Sequence, residues 1–352
     1  MKRLGALLGR WEALLVLLLA GTAVLGAALS PTFASKTTLS LVTADLMEKA
    51  IMAVPLTMII IAGQIDLSIA SILGLASAVL GALVAAGVPL WLAILVALVV
   101  GAACGGVNGL LVTRLQLPSL VVTLGTLALF RGLASVVLGD RAVSDFPAAF
   151  TEFGFGNIPG TLVPWPFVVF AVLALAGMVV LHGSVIGRQL YAVGNNPEAA
   201  RFSGVPIRRL LLGLFVASGV CSALAGVLFT ARFASARADN GLGFELDVIT
   251  AVLLGGVSIF GGRGSLPGVV LALFVIGGLR SALALADVPS EVQSIAVGTL
   301  LVLSVLGPGV AERVREGLRR RRLAAGDPGS GWTGGVGSPP VPEGTSGSGG
   351  SG

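Results

Sequence analysis

"PLWLAILVALVVGAACGGVNGLLV", from Pro89 to Val112, contains no charged side chain. A helix of about 20 apolar residues crosses the roughly 30 Å hydrocarbon core of a bilayer. In lipid, only a helix or a closed barrel can satisfy every backbone N–H and C=O internally. The run therefore reads as a spanning helix, and it is not alone. Working outward, comparable stretches cover 12–30, 43–62, 66–87, 118–139, 164–182, 208–231, 246–261, 266–286 and 292–309. The fold class is an all-α integral membrane protein with about ten transmembrane helices. The pair 43–62 and 66–87 is joined so tightly that one of them could be re-entrant, and the short, glycine-rich run 246–261 has the same ambiguity. The first run follows Lys2, Arg3 and Arg10 in the manner of a signal peptide. It is long enough to span and many spans follow, so it reads as a retained first helix.

Composition agrees. Of the 352 residues, 55% are hydrophobic and 11% charged, with mean hydropathy +0.99, whereas soluble domains average about 25% charged. The net charge of +5 does not indicate nucleic-acid binding, because the basic residues sit in short loops between apolar runs. Such placement reports topology. With a cytoplasmic N-terminus, the inner side receives Lys2, Arg3, Arg10, Arg114, Arg188, Arg201, Arg208, Arg209 and Arg263. It also receives Arg313, Arg315, Arg319, Arg320, Arg321 and Arg322, against Lys36, Arg141, Arg232 and Arg237 outside. An even number of spans and this bias place both termini in the cytoplasm. Residues 1–322 form the polytopic body. Residues 323–352, rich in Gly, Pro and Ser, have too little apolar surface to fold and read as a disordered tail. Cys104 and Cys221 lie inside apolar runs as packing residues, and His182 is the single histidine. That composition argues against a zinc site or a Ser-His-Asp triad.

The loop 183–207 holds the one compact water-soluble patch, "GNNPEAARFSG" (Gly194 to Gly204). Asn195 or Asn196 can cap a helix, Pro197 suits its first position, and Glu198 complements the positive end of its dipole. Ala199, Ala200 and Arg201 continue it. Gly204 stops it, with Pro206 beyond. A helix of about seven residues is too short to persist in water unaided. Arg201 and Phe202 would supply a charged edge and an apolar contact. It is either a capped surface helix or a docking helix for a cytoplasmic partner.

Four segments carry a family resemblance. "EAARFSG" fits the E-A-A-x-x-x-G pattern by which permeases of ATP-driven importers contact their ATPase. "AGQIDLSIASILGLASAV" (Ala62 to Val79) resembles the "GGIDLSVGS" signature of ribose-type permeases. "LPSLVVTLGTLALFRGL" (Leu117 to Leu133) and "VLLGGVSIFGGRGSLPGVVLA" (Val252 to Ala272) are similar to two further segments, in the same order. Gln64 stands where Gly is usual and Ala70 where Gly is common, and "IDLSIAS" looks somewhat like the rhamnose-type variant. The resemblance implies a transmembrane subunit of a monosaccharide or autoinducer-2 ABC importer in a bacterial inner membrane. It implies as partners a cytoplasmic ATPase, a periplasmic binding protein and a second permease copy or related subunit. On this resemblance, Asn195, Asn196, Pro197, Glu198, Ala199, Ala200, Arg201 and Gly204 couple to the ATPase.

No cofactor is expected on this chain, and ATP and Mg belong to the ATPase. "GGVSIFGGRGS" lacks the G-x-x-x-x-G-K-[ST] phosphate cradle, and the chain has no Gly-Lys pair. Gln64, Asp66 and Ser68 fall where the second helix turns into the third. Asp66, costly at mid-bilayer, is expected at the interface or in a wet cavity, either capping a helix start or shaping the inner pore. Arg131 and Arg280 lie inside spans and either pair structurally or line the route. Thr123, Thr126 and Asn108 either face a polar pore or bond back to their own helices. Asp45 and Lys49, four apart, are expected to pair with each other on a solvated face. Few aromatics and few intramembrane charges suit a pore that leaves selectivity to a binding protein. The alternative is a self-contained ion-coupled transporter, which needs paired intramembrane carboxylates where the sequence suggests only Asp66. A membrane-embedded enzyme ranks third.

Overall fold

The computed structural model describes residues 10–300 and residue 302. Among them the chain is helical, with only isolated bridges pairing Val143 with Ala236 and Asn157 with Pro164. In order, the helices are α1 (Arg10–Leu29), α2 (Lys36–Ile61), α3 (Ile69–Ala85), α4 (Leu90–Arg114), α5 (Ser119–Leu138) and α6 (Ala148–Phe155). There follow α7 (Trp165–Met178), prolonged by a π turn at Val179–Gly183, then α8 (Val185–Asn195), α9 (Pro197–Phe202), α10 (Ile207–Phe233), α11 (Phe244–Leu254) and α12 (Leu266–Leu285). A further helical run covers 290–300. The later part of the candidate span 292–309, the C-terminal arginine cluster and the tail 323–352 lie outside the described residues.

Among the described residues, six helices are long and apolar enough to cross a membrane: α1, α4, α5, α7 with its π turn, α10 and α12. Three other candidate spans depart from that pattern for physical reasons. α2 has 26 residues, but Asp45, Glu48 and Lys49 in its first half keep it from being uniformly apolar. α3 begins at Ile69, not at residue 66, because residues 62–68 form an irregular turn; its 17 residues reach about 25 Å. α11 has only 11 residues, about 16 Å or half a bilayer core. The run 246–261 is thus a half-length helix followed by a glycine-rich loop, not a full span.

α2 is the axis of the molecule. Every residue from Leu46 to Ile61 is buried, the charged Glu48 and Lys49 included. It is enclosed by α7, α10, α11 and α12, while α10 also packs on α3, α4 and α6. α4 crosses α10 closely. A methyl group at Gly105 would overlap the Phe215 carbonyl, and one at Gly219 the Gly101 carbonyl, so backbones touch where side chains are absent. Leu17, Trp91, Val99, Val121, Val136 and Leu175 are exposed on the outer helices, an apolar coat suited to lipid.

A helix end leaves its last carbonyls without a partner in the helix. At the C-terminus of α11, the Trp11 indole N–H of α1 donates to the Leu254 carbonyl at 2.9 Å. The Ser265 hydroxyl, at the N-cap of α12, donates to Glu12 of α1 at 3.2 Å. α1 packs along α12 and covers this break.

Candidate functional site

The loop 183–207 is a pair of helices, not a bare connection. α8 starts at Ser184, whose hydroxyl accepts from the Gly187 N–H at 3.3 Å, and buries Leu190 and Val193. α9 follows after one residue. The Asn196 carboxamide oxygen accepts from the Ala199 N–H at 3.0 Å, Pro197 occupies the first helical position, and Glu198 and Arg201 lie in the first and last turns. Gly204 takes φ +81°. There, its N–H bonds the Arg201 carbonyl at 3.0 Å and the Val205 N–H bonds the Ala200 carbonyl at 3.1 Å. The cap and stop residues therefore fall where the sequence puts them, with two differences. α9 is six residues long, and its anchoring contact is Ala200, whereas Phe202 is 91% exposed.

Beside α9 runs a groove of about 690 Å³, lined among others by Gln64, Gln116, Pro118, Glu198, Arg201 and Arg208. Asn195, the last residue of α8, points elsewhere: its amide N–H donates to the Tyr191 carbonyl at 2.8 Å and the Gly262 carbonyl at 3.3 Å. The Tyr191 hydroxyl donates to the Gly264 carbonyl at 2.8 Å, and burial raises its pKa above the ordinary tyrosine value. The Gly262 N–H reaches the Ile61 carbonyl at 2.8 Å. A methyl at Gly194 would overlap that same carbonyl and the Gly262 nitrogen. The end of α2, the end of α8 and the glycine loop between α11 and α12 thus meet backbone to backbone.

Asp66 is 0% exposed, so it does not sit in a wet cavity. It sits in a shell of donors. Its Oδ1 accepts from the Ser68 N–H at 3.0 Å and the Ser68 hydroxyl at 2.7 Å, and its Oδ2 from the Ser218 hydroxyl of α10 at 2.9 Å. The Asn108 amide of α4 donates to the Ser68 hydroxyl at 2.7 Å. Asp66, Ser68 and Asn108 are therefore one node joining α3, α4 and α10, and Ser218 is a member the sequence did not single out. Ser68 is the N-cap residue of α3, so Asp66 acts at the helix entrance by holding its cap. We expect Asp66→Ala, which strands these donors, to cost about 1–3 kcal/mol. Asp66→Asn should cost less, and thermal melting in detergent reads the difference.

The remaining candidates do not join this node. The Thr123 hydroxyl donates to the Ser119 carbonyl at 2.9 Å and to the Ile65 carbonyl at 3.3 Å, and that of Thr126 to the Thr123 carbonyl at 3.4 Å. Both bond back along their own helix. Arg131 donates to the Ala238 and Asn240 carbonyls at 2.8 and 2.9 Å and to the Ala70 carbonyl at 3.1 Å, tying α5 to the 234–243 loop. Near it Asp239 is held below the ordinary carboxylate range by the hydrogen bond from Arg237 at 2.9 Å.

Arg280 pairs with Asp247 of α11 at 2.6 Å, and Lys49 binds the same carboxylate at 3.1 Å. Asp45 and Lys49 do not pair with each other. Asp45 meets Arg232 at 3.1 Å, and Lys49 is only 7% exposed. Arg232 also grips Glu48, which is 0% exposed, at 2.8 Å. Asp66 is thus not the only buried acid. Glu48 and Asp247 lie inside the apolar runs 43–62 and 246–261, and that location was the available signal.

The order of these parts matches a known transport family. A family model described as "Branched-chain amino acid transport system / permease component" matches residues 38–305. The chain belongs to this family. The permease is 38% identical over 320 residues to the "Autoinducer 2 import system permease protein LsrD" of Escherichia coli (strain K12), and equally so to those of Escherichia coli O9:H4 (strain HS) and Shigella flexneri. Each match covers 88% of the permease and 96% of the relative. No solved structure matches the permease. The four segments that suggested an importer permease all fall within the matched region.

Proposed function

We propose that this chain is the membrane-spanning subunit of an ATP-binding cassette importer for a monosaccharide or a related small sugar-like compound. It forms the translocation pathway in a bacterial inner membrane, with about ten spans and both termini in the cytoplasm. A second permease copy or related subunit completes the pathway. A cytoplasmic ATPase, which carries ATP and Mg, drives it, and a periplasmic binding protein feeds it. The autoinducer-2 permeases to which the chain is similar favour that compound or a pentose or deoxyhexose such as rhamnose.

The observation that carries this proposal is α9. Six residues cannot hold a helix in water by propensity, yet this one is capped at both ends and anchored through a single buried alanine, with Glu198, Arg201 and Phe202 exposed. Such a helix suits docking. The ATPase moves α9, α8 transmits the movement to the ends of α2 and of the α11–α12 loop, and the pathway changes its open side. Asn195 to Arg201 and Gly204 couple, while Gln64, Asp66, Ser68 and Asn108 hold the inner gate. The hydrogen bonds of Thr123, Thr126, Arg131 and Arg280 suit positioning of the pathway walls.

A self-contained ion-coupled transporter requires a carboxylate free to exchange its proton. Glu48 and Asp247 each sit in an ion pair, and Asp66 accepts three hydrogen bonds, which argues against that mechanism. Reconstituted in liposomes, uptake should need ATP, the ATPase subunit and the binding protein together. Cysteine placed at Ala199 should crosslink to the ATPase subunit. Uptake by this chain alone, driven by an ion gradient, would overturn the proposal.

A further inference from the structure

The glycine loop between α11 and α12 carries a side chain that the transport mechanism has so far left idle. Phe260 is 89% exposed, and with Phe202 at 91% it is one of the two most exposed large hydrophobic residues among those described. Water does not favour a bare phenyl ring on a glycine-rich turn, because full burial of such a side chain is favourable by about 1.5–3 kcal/mol. The turn itself is well defined. The Gly261 N–H bonds the Ser258 carbonyl at 2.9 Å, the Ser258 N–H bonds the Arg263 carbonyl at 3.0 Å, and the Phe260 N–H bonds the Ser258 hydroxyl at 3.3 Å. Gly261 and Gly262 take φ +83° and +72°, conformations that a residue with a side chain rarely adopts.

This turn is fastened to the base of the coupling element. Gly262 bonds Asn195 and Ile61, and Gly264 bonds Tyr191. Gly261 lies so close to Gly194 and Gly63 that a methyl on it would press on both α-carbons. Counting along the chain through these contacts, the α-carbons of Phe202 and Phe260 lie within about 25 Å of each other. One partner of a stable protein complex contributes about 800 Å² of interface, a patch roughly 30 Å across. The two positions are therefore close enough to share a single footprint.

We propose that Phe260 is a second docking contact for the ATPase subunit, seated in an apolar cup beside the one that takes α9. The inference rests on the coupling role given to α9 above. Position favours a protein face: the turn is fastened to the base of α9, whose exposed surface is given above to the ATPase. Chemistry favours it too. Membrane-interface anchors are typically Trp and Tyr, whose polar atoms reach the headgroups, whereas a phenyl ring has no such atom. With two footholds, the ATPase would drive α8 and α10 through α9, and α11 and α12 through the glycine loop, in one stroke.

The test uses the permease with Cys104 and Cys221 replaced by alanine, in nanodiscs, with the importer's ATPase subunit. Single cysteines at Ala199 and Phe260 are each expected to crosslink to that subunit. Phe260→Ala should weaken the complex about tenfold while leaving the melting temperature of the permease unchanged. An environment-sensitive dye on Phe260→Cys should shift to the blue only when the ATPase subunit is added. Crosslinking from position 199 but not from 260 overturns this inference and leaves the coupling role standing; crosslinking from neither removes both. A dye already blue-shifted in nanodiscs alone, or a crosslink from 260 to residues 303–352 of the same chain, assigns the ring to lipid or to the chain itself and also overturns it.

Discussion

Gly204→Val is expected to abolish sugar uptake by the assembled importer while the chain still inserts, extracts and melts as the parent does. The separation of these effects follows from local geometry. A side chain at Gly204 would meet nothing within 4 Å, so no packing is disturbed. The backbone there has φ +81°, and an L-residue in that region costs about 1–2 kcal/mol, more when β-branched. The strain falls on the two hydrogen bonds that close α9, from Gly204 to Arg201 and from Val205 to Ala200. A helix of six residues has no other reserve, so its last turn opens and the exposed face loses its shape. We expect uptake in proteoliposomes to fall at least a hundredfold and ATP hydrolysis to lose its dependence on the loaded binding protein. Glu198→Arg, which opposes the positive end of the helix dipole, should act in the same direction. Gly204→Ala should fall between. Wild-type uptake in both Gly204→Val and Glu198→Arg would remove the coupling role.

The largest stability effect is expected at Arg232. Its Nε donates to Glu48 at 2.8 Å and a second guanidinium nitrogen does so at 3.4 Å, while Asp45 approaches at 3.1 Å. Glu48 has no access to solvent. Arg232→Ala therefore strands a carboxylate inside the protein, a change that costs about 3–5 kcal/mol. By contrast, removing both charges costs far less, because a buried ion pair contributes little net stability over a neutral pair. Arg232→Ala should melt far below the parent and extract poorly, and adding Glu48→Gln should restore most of the loss. A double-mutant cycle read by unfolding in detergent checks this. If Arg232→Ala alone stays within about 1 kcal/mol of the parent, the ion pair is not what neutralises Glu48.

Much of the architecture was legible because apolar length is a strong signal. The runs 12–30, 89–112, 118–139, 164–182, 208–231 and 266–286 agree with α1, α4, α5, α7, α10 and α12 to within a few residues. The caps of α9 were equally legible, since Asn196, Pro197 and Gly204 act through their own backbone and immediate neighbours. What could not be read is tertiary. The spacing of Asp45 and Lys49 permits a pair along one helix, but the stronger partners, Arg232 and Asp247, come from elements about 200 residues away. Ser218 looks like any serine in an apolar helix until α10 brings it to Asp66. The half-length α11 was masked because hydropathy continues past Leu254 into the loop, and only the glycines at 255 and 256 mark the stop.

The dependence of α11 on α1 has a consequence for biogenesis. The indole of Trp11 serves a carbonyl 243 residues further along the chain. At about 5–20 residues per second, the ribosome delivers that acceptor roughly 10–50 seconds after α1 has entered the bilayer. Made well before α12, α1 must therefore wait in lipid for this partner until α12 emerges. An early-made helix thus closes on a late-made one, and a nascent chain halted before α12 should still hold α1 free to be pulled or crosslinked away.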